Sequence, residues 1–497
     1  MLGRRFLVAV VVAVAALVRL LPAVAVGHYF STDVWPLIRT AYKIIEKPDL
    51  RFWNHTELGG YHNRWPASII SGVIYSELTG LDVAVFFRYT GVVAVSTCLT
   101  LFVYAVALRV SSVRRASICS LVFSAAPSFV VFTTTVLKEV YSYPIATALV
   151  LVAIRKPRSS ILPTALALST ALVTSHPLTP VILASAMVSY LLTRLFGEDS
   201  PRLRREEALR VGAVSAVLVA AYAVYAAFYS WDGLKLKLEI YDVVALVAIA
   251  TVVYGWYALN RGGRVRSSLL LVPIALVPAV FSSVDLLDTS TALYALVLGA
   301  MLLVLLFKRG GIPWSVVPDS ILLPIAAATL YVFLAQPALL PLAHRVLNYV
   351  VWAVAMAPAL VKSDSKLLDL LQLSILVAGI GIAANALLFG DSITYYWVYR
   401  EAELDVLRIA PLLPTKVCGD AKVQYIMGPE VEVSAICGIE LLRCSGGTDP
   451  LVLYVDNLRY GYVLSPVDRY PVRSFDKVKS SLNLLYSNLY LLVWGRA

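Results

Sequence analysis

Charge is what this sequence has least of: Lys, Arg, Asp and Glu make up 15% of its 497 residues, against about 25% in an average soluble domain. Hydrophobic residues reach 59% and the mean hydropathy is +0.78, so water is not the chain's main solvent and an ordinary soluble protein is excluded. Cysteine is scarce too, five in all, and no metal-site spacing is present. Internal repeats and low-complexity tracts are absent from the sequence. A net charge of +11 would suit a nucleic-acid partner if the basic residues were gathered together. They fall instead in short clusters between apolar runs, where they encode membrane orientation, so no nucleic acid is expected as a partner.

What the sequence does have is apolar stretches of about 18 residues or more, recurring along the chain until Phe389, as a hydrocarbon layer about 30 Å thick requires. The runs predict about thirteen spans, near 6–26, 82–108, 116–137, 140–154, 160–175, 177–194, 208–229, 240–259, 267–284, 290–307, 319–336, 343–361 and 367–388. Every second connection is basic: Arg109/Arg114/Arg115, Arg155/Lys156/Arg158, Arg194 to Arg210, Arg261/Arg264/Arg266, Lys308/Arg309 and Lys362/Lys366, with Arg4/Arg5 at the start. These belong in the cytoplasm, which puts the N-terminus inside and the C-terminal part outside a multi-pass protein of the cell membrane. The first segment ends in Ala23-Val24-Ala25, which imitates a cleavage site, but its length and Arg19 favour a retained anchor.

Two polar regions stand out. In the outer loop 27–65, Val34, Leu37, Ile38, Ala41, Ile44 and Ile45 recur at helical spacing, with Arg39, Lys43, Glu46 and Lys47 opposite, predicting a helix in the membrane surface. A polar, aromatic stretch from Arg51 to Pro66 follows, including His62 and Arg64, and ordered loops of that length usually carry function. Beyond the transmembrane domain 1–389, residues 390–497 predict a small α+β domain outside the membrane. Its strands are expected at Val423–Ile426, Val431–Ile436 and Leu451–Val455, and a helix at Phe475–Leu485. Cys98 and Cys119 read as packing residues, whereas Cys418, Cys437 and Cys444 leave room for one disulfide outside. The fold class is therefore an all-α polytopic membrane protein with a C-terminal α+β appendage.

The candidate chemistry lies at the outer connections. Asp33 is placed to take a proton from an attacking hydroxyl, or else to cap the helix that follows it. Lys138-Glu139 offers a phosphate partner and a second carboxylate, or two solvated charges at a tight turn. His176 is on the same side, either structural or part of the site. His344-Arg345, with Tyr349 one turn on, opens a span at its outer end: Arg345 is either an anchor to headgroups or the ligand of a lipid phosphate. A divalent metal, Mg or Mn, would draw on Asp33, Glu139 and His176. Arg19 and Arg88 lie within spans, where charge faces protein or a water-filled cavity.

This order of features resembles the GT-C superfamily of membrane glycosyltransferases: an N-terminal span, an outer loop with an early Asp and a surface helix, many spans with Lys-Glu and His at outer turns, and an outer C-terminal domain. The resemblance implies inverting transfer of a sugar from a polyprenyl- or dolichyl-phosphate carrier to a protein, lipid or glycan acceptor. Asp33 would be the base, Glu139 the second-loop acid and Arg345 the ligand of the carrier phosphate, with His62, Arg64, Lys138, His176, His344 and Tyr349 in the substrate site. The span count is similar to the oligosaccharyltransferase catalytic subunit, but that family's Trp-Trp-Asp-Tyr-Gly signature is missing from the C-terminal part, and Lys138-Glu139 replaces its spaced acidic pair. The departure favours a monosaccharide transferase similar to protein mannosyltransferases or aminoarabinose transferases over en bloc glycan transfer. A transporter or lipid flippase, suggested by Arg19 and Arg88, and a non-catalytic scaffold are the competing classes.

Overall fold

In a computed structural model, the residues described are 2–51, 53, 58, 62–126, 129–130, 133–154, 161–195, 205–231, 239–259, 317–336, 346–356, 366–389, 395, 398–428, 431–443, 449–465, 468–472, 478–479 and 482–495. The first part is a helical bundle. Its elements are α1 (Leu2–Ala25), α2 (Val34–Glu46), α3 (Ala67–Thr79), α4 (Val83–Val110, with a π-helical turn at Phe86–Thr90), α5 (Val113–Ala125), α6 (Lys138–Ile154) and α7 (Ile161–Val173). They continue with α8 (Leu178–Leu195), α9 (Arg205–Tyr225), α10 (Ile240–Leu259), α11 (Val317–Ala335), α12 (Val346–Ala355) and α13 (Lys366–Phe389).

Among the described residues four helical stretches are long and apolar enough to cross a membrane: Arg5–Ala25, Val83–Val110, Glu206–Ser230 and Ile240–Leu259. Helix α1 shows what solvent they are built for. Val11, Ala15 and Val18 recur at helical spacing and are buried against α4 and α5, while Leu17, Leu21 and Val24 on the far side are 58%, 60% and 65% exposed. A helix apolar on both its buried and its exposed face is suited to hydrocarbon, not water. Two of the expected spans, 267–284 and 290–307, lie outside the described residues, as do Arg155, Lys156 and Arg158 among the basic connections.

The expectation of one span over 116–137 is corrected: α5 stops at Ala125, and Ala126 is non-helical at φ −59°, ψ 119°. The cause is local, because Pro127 drives the residue before it out of the helical region. The expected surface helix forms as α2, with Val34, Leu37, Ile38, Ala41 and Ile44 buried. Its apolar face is covered by protein, however, packing on Ile69, Val83, Phe87, Val136, Leu137 and Val140.

The C-terminal part is a five-stranded mixed sheet of order β2-β1-β3-β7-β6, with β1 (Lys416–Gly419), β2 (Glu432–Ser434), β3 (Leu451–Tyr454), β4 (Tyr462–Ser465), β5 (Asp468–Tyr470), β6 (Asn483–Ser487) and β7 (Leu491–Gly495). Strands β1–β2 and β1–β3 pair parallel, β3–β7 and β6–β7 antiparallel, and β4–β5 form a separate ribbon. Only the Leu451 strand falls as expected. Val423–Ile426 is helical, within α14 (Ala421–Met427), because the Asp420 carboxylate accepts the Val423 N–H at 3.0 Å and caps a helix there. Ser434 ends β2, and α15 (Ala435–Arg443) takes over what reads as the rest of a strand. Asn483–Leu485, expected at the end of a helix, belongs to β6.

Cys418 on β1 is joined to Cys437 on α15 by a disulfide across 19 residues, with the Cα atoms 5.2 Å apart; Cys444 lies outside the described residues. A loop of that length restricts the unfolded chain by about 3 kcal/mol. Replacing both cysteines by Ala should therefore lower the melting temperature of the purified protein, and reductant should lower that of the native chain alike. A melting curve indifferent to both would show that this crosslink does not stabilise the domain.

Candidate active site at one end of the bundle

Asp33 sits at the entry to α2, where an aspartate usually caps. Here it does not: its side chain makes no capping hydrogen bond, and it is half-buried. Two residues earlier Ser31 holds φ at +90°, unusual for a residue with a Cβ, and its Oγ accepts the Asp33 N–H at 3.3 Å. Strain of this kind persists where surrounding structure fixes it, often beside functional groups. Val34, next to Asp33, and Leu137, next to Lys138, share one apolar cluster, so the Asp33 turn and the Lys138-Glu139 turn are built on the same core.

Lys138 and Glu139 open α6, and both are buried. That overturns the reading of two solvated charges. Glu139 Oε1 accepts the Tyr143 hydroxyl at 2.6 Å, one helical turn on, and Oε2 lies 4.0 Å from His176 Nε2. His176 precedes α8, where its Nδ1 accepts the Thr179 backbone N–H at 3.3 Å and meets the Thr179 hydroxyl at 2.9 Å. An Nδ1 that accepts leaves the proton of a neutral ring on Nε2, directed at the carboxylate. The Thr179 hydroxyl lies 2.8 Å from Ser142 Oγ and 3.0 Å from the Tyr349 hydroxyl on α12. Side chains of three helices thus meet in one hydrogen-bonded cluster around a buried carboxylate.

A cationic group adjoins it. Lys138 Nζ stands 5.4 Å from the Trp65 ring centre, close enough for a cation–π contact. His62, in a single 3-10 turn with Asn63 and Arg64, is held well below its usual pKa, first by burial and then by the positive charges of Lys138 and Arg39. The Ala67 N–H donates to Thr174 O at 3.2 Å, stitching this segment to the turn that carries His176. The Arg64 carbonyl accepts the Tyr225 hydroxyl at 2.6 Å, and Trp53 Nε1 approaches that hydroxyl at 3.3 Å.

Below the cluster a cavity of about 140 Å³ runs between the helices. Tyr143, Thr179 and Tyr349 line its head, Ile182, Met187 and Trp352 are among its apolar walls, and Tyr190 and Ser320 lie at the other end. From Thr179 to Tyr190 along α8 is about 16 Å at 1.5 Å per residue.

The structure therefore unites Glu139, His176 and Tyr349, and sets Lys138, His62 and Arg64 on adjoining elements. His344 and Arg345 lie outside the described residues. Tyr143, Thr179 and Ser142 were not singled out from sequence, although Glu139-to-Tyr143 and His176-to-Thr179 have the i,i+4 and i,i+3 spacing that brings helical neighbours together. Arg19 and Arg88 are accounted for as struts. Arg19 donates to Thr133 Oγ1 at 2.8 Å and Ser124 O at 3.0 Å, and Arg88 Nη2 to Ala23 O at 3.0 Å. Among the described residues, the close grouping of three metal-type ligand atoms is Cys418, Cys437 and Asp449, whose two cysteines are disulfide-bonded; Asp33, Glu139 and His176 do not converge in that way.

His62 gives this end of the bundle a pH dependence. Unfolding releases the ring to titrate near its ordinary value of about 6.5, so below that pH the unfolded chain binds the proton that the folded chain refuses. Stability should fall as pH drops through that value, and His62→Gln should flatten the fall. Melting temperatures of both proteins at pH 7.5 and pH 5 read this out; an equal acid loss in the variant would contradict it.

No protein-family model matches the chain, and no curated protein sequence matches it. Among solved structures, the chain is similar to the archaeal oligosaccharyltransferase AglB from Archaeoglobus fulgidus in complex with an inhibitory peptide and a dolichol-phosphate, at 14% identity and a TM-score of 0.45 over 82% of this chain and 58% of that one. A second Archaeoglobus fulgidus oligosaccharyltransferase structure, tethered with an acceptor peptide, is similar at 12% identity and a TM-score of 0.45, over 87% of this chain and 63% of that one. The chain thus spans less than two thirds of either oligosaccharyltransferase. ArnT from Cupriavidus metallidurans, bound to undecaprenyl phosphate, is similar at 12% identity and a TM-score of 0.39, over 98% of this chain and 97% of that one.

Proposed function

We propose that the chain is an inverting GT-C type glycosyltransferase that moves a sugar from a polyprenyl-phosphate carrier to an acceptor hydroxyl at the outer face of the membrane. The observation that carries the reading is a buried polar head on a largely apolar cavity: Glu139, Tyr143, His176, Thr179 and Tyr349 close one end, with Lys138 beside them, and mostly apolar side chains line the rest. A lipid with a charged sugar-phosphate head and an isoprenoid tail has the matching distribution of polarity. Its tail cannot leave the bilayer, so its anomeric carbon has to be met at the membrane surface.

In this reading Asp33 takes the proton of the acceptor hydroxyl while that oxygen attacks the anomeric carbon. The bond from that carbon to the phosphate oxygen breaks as the new glycosidic bond forms, and the lipid phosphate leaves with the electron pair. Lys138 and Arg345 offset the charge that gathers on it. Phosphate is a good leaving group, so the second carboxylic acid that a glycoside hydrolase uses to protonate its leaving oxygen is not required. Glu139, already engaged by Tyr143 and His176, is the group that orients the sugar. That engagement, with Lys138 next in the chain, makes Glu139 and His176 a poor pair of metal ligands, and no step is routed through a metal. Basic residues on alternate connections support an outer position for this end and a cytoplasmic N-terminus.

Asp33→Asn should lower transfer from a polyprenyl-phosphate sugar by about 100-fold or more, the usual weight of a positioned base, in protein that melts normally. Full activity would remove Asp33 from the role. Lys138→Ala and Arg345→Ala should each weaken donor binding more than turnover, and an unchanged donor KM in both would refute the phosphate assignment. Chelation with EDTA should leave the rate unchanged. Loss of activity restored by Mg or Mn would instead return Glu139 and His176 to a metal.

A further inference from the structure

Helix α2 belongs to two cores at once. Its buried stripe packs on the bundle, but Trp35, two residues beyond Asp33, also packs against the C-terminal core around Tyr399 and Val423. The Trp35 ring meets Tyr29 edge-on at 5.1 Å and Tyr399 edge-on at 6.0 Å. One turn later, Arg39 donates through Nη1 to Ile426 O at 2.7 Å and through Nη2 to Tyr425 O at 2.9 Å. These carbonyls lie in the last turn of α14, where a helix leaves its acceptors without partners of its own, and a guanidinium supplies charge-assisted bonds to them. Directly after this turn comes Gly428 at φ +75°, where a Cβ would lie 2.8 Å from Arg39 Cζ. The cradle fits only with glycine there.

The receiving side is itself pinned. Tyr399 donates its hydroxyl to Lys422 O at 2.6 Å, and the buried Lys422 ammonium lies 3.2 Å from Glu403 Oε2 and 3.0 Å from Val398 O. Tyr395, Tyr399 and Tyr454 ring that ammonium, with centroids 4.2, 5.1 and 4.9 Å away. A paired, fully buried charge is costly to disturb, so this part of the domain offers α2 a rigid abutment.

We propose that the C-terminal domain is a positioning clamp for Asp33, acting on the start of α2 through Trp35 and Arg39. The inference rests on Asp33 being the base. The domain then contributes to turnover without touching substrate, because a misplacement of about 1 Å at a reacting group costs on the order of 100-fold. Arg39 and Trp35 are positioning residues in this scheme.

The test uses the full chain in lipid nanodiscs, with a polyprenyl-phosphate sugar as donor. Two quantities are followed: amide hydrogen exchange of residues 31–46, and the separate kcat and donor KM. Arg39→Ala and Trp35→Ala should speed exchange in that segment and lower kcat by about tenfold or more, with donor KM within about twofold. Arg39→Lys, which keeps a donor for one carbonyl, should recover part of the loss. Exchange that does not change in either Ala variant would show that the domain does not clamp α2. Faster exchange with kcat intact would show that the clamp has no bearing on the reaction. Asp33→Asn, measured alongside, separates the two ideas: full activity there overturns the base assignment, whereas the exchange result still reports on the clamp.

Discussion

A carboxylate buried in an apolar bundle must be satisfied on the spot, and the rest of the site follows from how Glu139 meets that requirement. Leaving such a group unpaired costs several kcal/mol, so its surroundings have to bring donors. Tyr143 comes from the same helix one turn on, and His176 from the turn before α8. The imidazole can present its Nε2 proton only because Thr179 occupies Nδ1, and Thr179 in turn reaches Ser142 and Tyr349. One ionisable group thereby draws the ends of α6, α8 and α12 together. Hydroxyl groups are concentrated at the junction, and most of the side chains that line the cavity below it are apolar. A polar head over an apolar shaft is the physical result.

The same logic governs the other buried charges, with different outcomes. Arg19 and Arg88 spend their donors on carbonyls and on the Thr133 hydroxyl, and so tie α1 to its neighbours. Lys422 is enclosed by Glu403 and three tyrosines, and so fixes the chain leaving α13 to α14. Lys138 sits over Trp65 at the edge of the Glu139 cluster, beside a histidine kept neutral by that charge and by burial. Charges met entirely by the protein are structural.

Much of this was legible in the sequence, but unevenly. Apolar periodicity located α2 to within a residue, because Val34, Leu37, Ile38, Ala41 and Ile44 repeat the helical period without interruption. The turns bearing Asp33, Glu139 and His176 followed from where apolar runs stop. Hydropathy alone hid the end of α5, since Ala126 and the residues up to Leu137 are apolar or weakly polar, and the break is a steric effect of Pro127. Val423–Ile426 is short, with β-branched residues at both ends, a run that fits strand or helix, and the Asp420 cap decided it. The pairing of Cys418 with Cys437 needed coordinates, because three cysteines allow three pairings. Tyr143, Thr179 and Ser142 escaped notice for a deeper reason. Each reads as an ordinary residue of a membrane helix, and only the closing of three helices on one carboxylate gives them a partner.

The C-terminal domain meets the bundle at α2, next to this end of the helices. Within the bundle, Glu139, His176 and Tyr349 are tied together through Thr179, which meets both His176 and Tyr349, and through the approach of His176 to Glu139. Asp33 lies on the connection between α1 and α2, two residues after Ser31 at φ +90°. Trp35 and Arg39 are the points at which the sheet domain reaches α2, one by ring packing and one by two bonds to helix-end carbonyls. Helix α2 is thus shared: its buried stripe belongs to the bundle core, and Trp35 also packs on the core of the sheet domain.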